Sequence, residues 1–471
     1  MVQVPILSGI YAKTTADFAR SFPVNLAPIA ESGDGTGTGI SKGYLKVAPG
    51  LRKVTSTVAI DRGGYVFNGR HMRVIGPMLY QVADDGVMTL VGSVGALGQG
   101  KPVTFAQSFD RLGIASDGAL WYYKDDALTK VTDPDLGPVL SMAWQDGYFI
   151  TTDGTSLIVT ELNDPTSVDP LKYGSSEADP DPVTGILSLR GQVYALNRYT
   201  IEVFINGGTT GFPFARSRGG QIPKGCVGSA AFTPFVETFA FCGSGRNESP
   251  AIYLAGAGQG IRISPRGLDD ALALLPEDKL AAVELEARNG AGMTELLVHL
   301  PNETWVYHWT ASQQFDLPVW SRLAGGADVS SAYPARHFVF YGNEWWCGGA
   351  DAIGVLDEQE PTFFGKSYGF QFDTPLVYNG RAGAIVHDLE LVTLAGRVAL
   401  EAFVDMSYTD DGVTWSQKRT ASLGGVGDRD KRPCWRRGGR IRRWRGYRFS
   451  GLVSGPAAFA RLEAQLEPLN G

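Results

Sequence analysis

Cysteine is scarce in this 471-residue sequence, and its four copies, Cys226, Cys242, Cys347 and Cys434, form no CxxC pair and have no histidine at ligand spacing. That argues against a zinc site or a dithiol redox motif, and the four read as small buried apolar residues. Histidine is nearly as rare: His71, His299, His308, His337 and His387 contain no HExxH pattern, and His308, set between aromatics in TWVYHWT, reads as structural. Long apolar runs are missing too. None reaches the roughly 18 residues of a membrane-spanning helix, so no stable membrane insertion is expected. MVQVPILSGIYAKTTADFARS lacks a basic start followed by an apolar stretch, which predicts no secretion signal. Neither a GxSxG elbow nor a GxxxxGK loop occurs, and GAGQG at 256–260 lacks the strand–helix framing of a dinucleotide site. No catalytic residue, metal site or cofactor is therefore assigned, and the chain is not expected to be an enzyme. Positive charge is also in deficit. Lys and Arg number 42 against 49 Asp and Glu, a net charge of −7, which argues against general coating of nucleic acid but leaves contact at one patch open.

What is abundant is turn and strand material. Sixty Gly and 26 Pro are spread along the chain, which suits many turns and few long helices. Aromatics make up 11% and favour pleated surfaces. Residues 1–50 look irregular, with Pro5, Pro23, Pro28 and Pro49 interrupting regular structure and SGDGTGTGISKG at 32–43 forming a glycine-rich loop. Apolar residues recur in SFPVNLAP and GYLKVAPGL, so this extended arm is expected to lie on a surface; the alternative is a loose tail.

From 51 to 365, strand-like runs broken by glycine turns begin near Gly64, Arg111, Gly147, Gly191, Thr238, Thr294 and His337, 36 to 56 residues apart. That is close to the roughly 40–50 residues of a four-stranded propeller blade. Several share a strand, a tight turn such as Asp117-Gly118 or Asp153-Gly154, and a returning aromatic or β-branched strand. Radial packing covers the open face of each hairpin and leaves few edges. The fold class expected is therefore all-β: a β-propeller of six or seven blades, with a pair of β-sandwiches as the alternative. SPRGLDDALALLPEDKLAAVEL (264–285) places Leu268, Leu272 and Leu275 at helical spacing and predicts a short helix between two blades. SSEADPDPVTG (175–185) reads as a solvated, proline-rich connection. Alternating strands then resume over 366–471 as a separate β-sandwich-like domain, which the N-terminal arm can join. The domain reading is thus an extended arm (1–50), a propeller (51–365) and a sandwich-like domain (366–471).

Within that last domain, SYTDDGVTWSQ (407–417) has the look of a sialidase Asp-box, a turn device that carries no catalysis even where it is repeated. The sharpest local signal is RDKRPCWRRGGRIRRWRGYR (429–448). It sets ten basic residues against Asp430, a net +9 that leaves −16 on the rest of the chain. Arg436, Arg437, Arg440, Arg442, Arg443, Arg445 and Arg448 are the candidate contact residues. Three roles fit: a subunit or partner interface meeting an acidic surface, contact with DNA phosphate, or a solvated strand braced by cation–π contacts. Trp435, Trp444 and Tyr447 could stack on guanidinium groups or on bases.

SFPVNLAP with GYLKVAPGL, then ISPRGLDDAL…LLVHLPNETWVYHWTASQQFDLPVWSRL, then SYTDDGVTWSQ…KRPCWRRGGRIRRWRGYRFSGLVSGPAAFARLEAQL, resemble in the same order the motifs of packaged-DNA stabilisation proteins of short-tailed phages. His308 stands where that family often has Asp. The resemblance touches both ends and the middle. It implies a structural tail protein of the virion, made in the host bacterial cytoplasm: a hexameric nozzle or hub ring below the portal and adaptor proteins. Such a ring retains packaged double-stranded DNA and conducts it during ejection, and tail needle or plug proteins and tailspikes or fibres attach to it. The alternative function is a carbohydrate-active or glycan-binding β-propeller.

Overall fold

The computed structural model describes residues 2–12, 17–30, 43–95, 100–162, 164–177, 179–217, 219–290, 292–378, 382–394, 396 and 401–469. The glycine-rich loop expected at 32–43 lies, apart from Gly43, outside the described residues.

Seven sheets follow one another along the chain, at 61–93, 104–130, 141–175, 183–216, 232–262, 284–332 and 336–357. We number them blades 1 to 7. Their first strands touch in succession, with Gly185 of blade 4 lying against Phe232 of blade 5, and that of blade 7 (Arg336–Tyr341) packs on that of blade 1 (Asp61–Phe67), which closes the ring. The upper end of the expected six or seven is the one found. Each of the seven sequence runs falls on a hairpin of its own blade. The hairpins form because the turn residues tolerate left-handed backbone. Asn68-Gly69, Asp117-Gly118 and Arg190-Gly191 take φ values of 48° and 74°, 50° and 77°, and 52° and 74°, the positive pair that a two-residue turn matched to strand twist requires. The widest spacing, between blades 5 and 6, holds the predicted helix. It is split in two, Arg266–Ala273 and Glu277–Leu280, by Pro276, and it buries Leu268, Leu272 and Leu280. A further helix, Trp309–Phe315, ends at Asp316 in the left-handed region; nothing in TASQQF had set it apart as helical.

Closure of the ring is supplied from far back in the sequence. Strand Gly50–Ser56 pairs antiparallel with Ala352–Asp357 as the fourth strand of blade 7. At Gly354 the two backbones pass so closely that a Cβ would stand 2.4 Å from the Arg52 carbonyl oxygen.

The C-terminal region is a two-sheet sandwich. One sheet holds Gly369–Asp373, Val377–Tyr378, Trp444–Leu452, Ala402–Thr409 and Arg419–Gly424. The other places Leu26–Ala30, Gly43–Val47, Ala458–Pro468, Ala384–Thr393 and Cys434–Ile441 side by side, and Val2–Val4 also pairs with Ala458–Pro468. The irregular reading of the first fifty residues is therefore corrected. Three of their segments are strands of the sandwich, because residues that cannot pair locally pair with the end of the chain. Asn25, at φ 56°, pins this arrangement. Its Nδ2 donates to the carbonyls of Ala324 in blade 6 and Gly369 in the sandwich, both at 2.7 Å, and its Oδ1 accepts from Ala324 N. One continuous core runs from Leu297, Val306 and Leu323 of blade 6 through Leu26 and Leu45 to Phe372, Phe449 and Leu462. Each fully buried side chain of that size contributes about 1.5–3 kcal/mol, so the two regions are one packed body.

Two smaller expectations also change. Cys226, Cys242 and Cys347 are buried, but Cys434 is exposed at the sandwich edge. The 175–185 connection is tethered, because Asp181 accepts from the backbone of Tyr199 and Thr200, and Asp179 pairs with Arg246 of blade 5 at 2.6 Å.

Candidate functional site

The arginine run folds as a hairpin whose two strands lie in different sheets. Among the described residues Cys434–Ile441 is the edge strand of the six-stranded sheet, paired with Ala384–Thr393 alone, and Trp444–Leu452 is central in the opposite sheet. Alternation buries Trp435 and Ile441 and turns the residues between them outward. A bulge interrupts the strand. Val386 faces Gly439 and Asp388 faces Arg436, so the arginine strand carries one extra residue there, with Arg437 at φ 59°. The bulge puts the successive residues Arg436 and Arg437 both at the surface. Arg440, Arg442 and Arg443 are exposed beyond it. Among the described residues none of these five guanidinium groups has an ion-pair partner, an arrangement left open for an external anion.

Arg445 and Arg448 behave differently and are withdrawn from the contact surface. Past the turn the strand enters the second sheet and ties up both side chains, Arg445 on the core face it shares with Tyr447 and Phe449 and Arg448 on the opposite face. Arg445 is 3% exposed. It donates to Asp410 at 2.7 Å and to the carbonyls of Gly438 and Arg440 at 2.6 and 3.1 Å, and its guanidinium lies 4.0 Å from the Tyr408 ring centroid. Arg445 therefore clamps the strand that displays the other arginines. Arg448 forks onto Asp373 with two bonds of 2.8 Å and stacks on Trp415 at 3.9 Å. The Asp-box-like turn belongs to the same brace. Asp411 accepts from the backbone of Val413 and Thr414, while Asp410 and Trp415 hold the two inner arginines. Two of the three aromatics are not stacking platforms for bases, while Trp444 is half-buried. Trp435 is buried against Phe449 with its Nε1 donating to the Arg419 carbonyl, and Tyr447 is buried as well.

A second polar centre, unmarked in the sequence reading, sits where blades 1, 6 and 7 meet. Arg73 forks onto the buried Asp61 at 2.7 and 2.8 Å, and His337 Nδ1 lies 2.8 Å from the same carboxylate. On the other side His337 Nε2 is 3.5 Å from Glu284, which Arg336 engages at 2.7 Å. Glu286 accepts from the backbone of His337 and Phe338, both at 2.8 Å. Burial disfavours the charged imidazole, but its bonds to Asp61 and Glu284 outweigh that and push His337 up to about 10. Burial likewise opposes the Glu284 carboxylate, yet His337 and Arg336 bring it down to about 2. His299, beside this group, is pushed down to about 4 chiefly by burial. Ligand atoms of Glu284, Glu286 and His337 lie within 4.8 Å of one another. The neighbouring Arg73 and Arg336 and the protonated His337 already balance the acids, so the cluster reads as an ion network that staples the ring shut.

A cavity of about 490 Å³ opens between blades 6 and 7 and the Gly43–Val47 strand, with Arg288, Glu295 and His308 at its polar end and Phe340 and Trp345 on its wall. Burial alone would raise the Glu295 carboxyl; Arg288 and His308 outweigh it and hold Glu295 well below the usual carboxylate range. The other two wall carboxylates pair with cations, Glu344 with Arg52 at 3.1 Å and Glu358 with Lys46 at 2.6 Å. Glycoside hydrolysis needs one carboxyl group kept protonated, and Glu295 is held in the opposite direction.

A family model described as bacteriophage P22 Gp10, beta-propeller, matches residues 2–360, and one described as bacteriophage P22 Gp10, beta-sandwich, matches residues 369–467. The tail hub protein gp10 of Salmonella phage P22 is 25% identical over 488 residues, covering 99% of both chains. Among solved structures, the Pan2 WD40 domain of Neurospora crassa is similar at 8% identity and a TM-score of 0.41, over 68% of this chain and 97% of that one. The extracellular domain of a hybrid two-component system from B. thetaiotaomicron is similar at 11% identity and a TM-score of 0.45, over 72% of this chain and 45% of that one. The two family models divide the chain where the ring gives way to the sandwich, and between them leave almost nothing unmatched: this chain belongs to the bacteriophage P22 Gp10 family, a β-propeller followed by a β-sandwich.

Proposed function

We propose that this chain is a structural subunit of a bacteriophage tail, working as a tail hub or nozzle and not as an enzyme. The observation that carries the reading is the end-to-end match to tail hub protein gp10 together with both P22 Gp10 models. In this reading the chain assembles with other virion tail components. Six copies form a ring below the portal and adaptor, retain packaged double-stranded DNA and conduct it at ejection, with needle or plug proteins and spikes or fibres attached. Its place is the virion tail, after synthesis in the host bacterial cytoplasm. The net charge of −7 supports a wall that repels DNA sliding past it. The exposed Arg436, Arg437, Arg440, Arg442 and Arg443, which have no ion-pair partner among the described residues, are the residues that meet a subunit or the adaptor. A closed ring multiplies modest contacts, so no single one has to be very tight.

Electron microscopy of the protein mixed with portal–adaptor complexes from its source particle is the direct test. Rings capping the adaptor around a central channel are expected. Monomers that ignore the adaptor would overturn the reading.

A further inference from the structure

The charge of the arginine hairpin has a counterpart elsewhere in the chain. Residues 131–182, which make up blade 3 and the segments leading into and out of it, contain ten acids and one base, Lys172, a net −9; residues 429–448 count +9, of which Arg432, Arg445 and Arg448 are already paired within the chain. Only two of those acids are ion-paired among the described residues, Glu161 with Lys172 and Asp179 with Arg246. Asp133, Asp135 and Asp153 converge around Tyr173 on one side of the blade, and Asp133 also accepts from Val168 N, next to Asp169. Several of these acids cap turns, but capping leaves their charge uncompensated.

The two patches cannot meet within one molecule. The sandwich packs on blade 6 and on the strand that closes blade 7. In a ring of seven, blade 3 is three steps from blade 6 one way and three steps from blade 7 the other. Acid and base therefore sit at opposite ends of the body. Two different, complementary patches on one chain join copies head to tail, and repetition of such a contact generates a ring when the rotation closes.

We propose that the arginine strand of one copy docks on the acidic side of blade 3 of the next copy. This deepens the reading of the chain as a ring-forming tail subunit and rests on it, naming the two faces of the subunit contact. Guanidinium groups that find no carboxylate among the described residues of their own chain find them on the neighbour, where forked bonds fix register. A long-range field of opposite sign at the two ends steers the encounter, and it is screened as ionic strength rises beyond physiological, where the Debye length is about 8 Å.

Two full-length variants test this. R436E/R440E reverses the basic face, and D135K/E177K reverses two exposed carboxylates of the acidic segment that cap no turn among the described residues, Asp135 being the one beside Tyr173. Sedimentation velocity is read for wild type, each variant alone and an equal mixture, and circular dichroism confirms that each variant is folded. Each variant alone is expected to associate at least about 100-fold more weakly than wild type, because like charges are then juxtaposed. The mixture is expected to recover wild-type assembly, since every contact in an alternating ring is again between opposite charges. Variants that still assemble alone overturn the proposal, and so does a mixture that stays dissociated, or a wild type that stays monomeric with or without adaptor. If R436E/R440E loses only adaptor or DNA binding while D135K/E177K behaves as wild type, the pairing of copies is wrong but the tail-hub reading stands.

Discussion

His337 holds a proton where three blades converge, with Asp61 on one side and Glu284 on the other. Its pKa in the folded chain, about 10, exceeds the ordinary 6.5. The stability it supplies is therefore complete below about pH 6.5 and disappears as pH rises through 10. Thermal unfolding should show a fall in Tm of about 5 °C or more between pH 7 and 10 in wild type. His337→Asn, which keeps the left-handed backbone accessible, should flatten that fall. Asp61→Asn leaves the guanidinium of Arg73 buried without its anion, and urea denaturation should register a loss of about 3–5 kcal/mol. This centre was illegible in the sequence, because Asp61 precedes Glu284 and His337 by more than two hundred residues and only ring closure unites them. The arginines show a subtler limit. Arg443 and Arg445 read alike in RIRRWRGYR, and only the passage into the second sheet at Trp444 decides that one faces out and the other in. Arg445→Met should lower Tm by several degrees. Charge reversal at Arg436, Arg437 and Arg440 should leave Tm within about 2 °C yet block incorporation into particles, as seen by comparing scanning calorimetry with assembly.

At the level of elements, the seven blade hairpins were readable since local chemistry decides them: residues tolerant of positive φ stand at the turns and alternating apolar residues flank them. Elements that depend on distant partners were not. Gly50–Ser56 is an ordinary strand in sequence, and its role follows from Ala352–Asp357 nearly three hundred residues away. Leu26–Ala30, which contains Pro28, and Gly43–Val47, which runs into Pro49, read as irregular for the same reason. Gly354→Val tests the closing element. A side chain would be forced against the Arg52 carbonyl, at a cost of about 1–3 kcal/mol. Amide exchange should accelerate over residues 51–56 while blades 2 to 5 keep their protection.

For the molecule as a whole, the division of charge between a basic sandwich edge and an acidic blade predicts assembly that weakens steadily with added salt, whereas the fold, held by apolar cores, does not. Light scattering and circular dichroism across a salt series should separate the two. The ring closure described above also has a consequence for the newborn chain. Residues 2–4, 26–30 and 43–56 leave the ribosome long before their partners at 352–357 and 458–468 exist. At about 5–20 residues per second, those strands wait roughly 20–80 s as open edges. Pro28 inside one of them and Pro5 and Pro49 at the ends of others, the very residues that disguised them as an irregular arm, are then a safeguard, making poor templates for stray pairing until the end of the chain arrives to claim them.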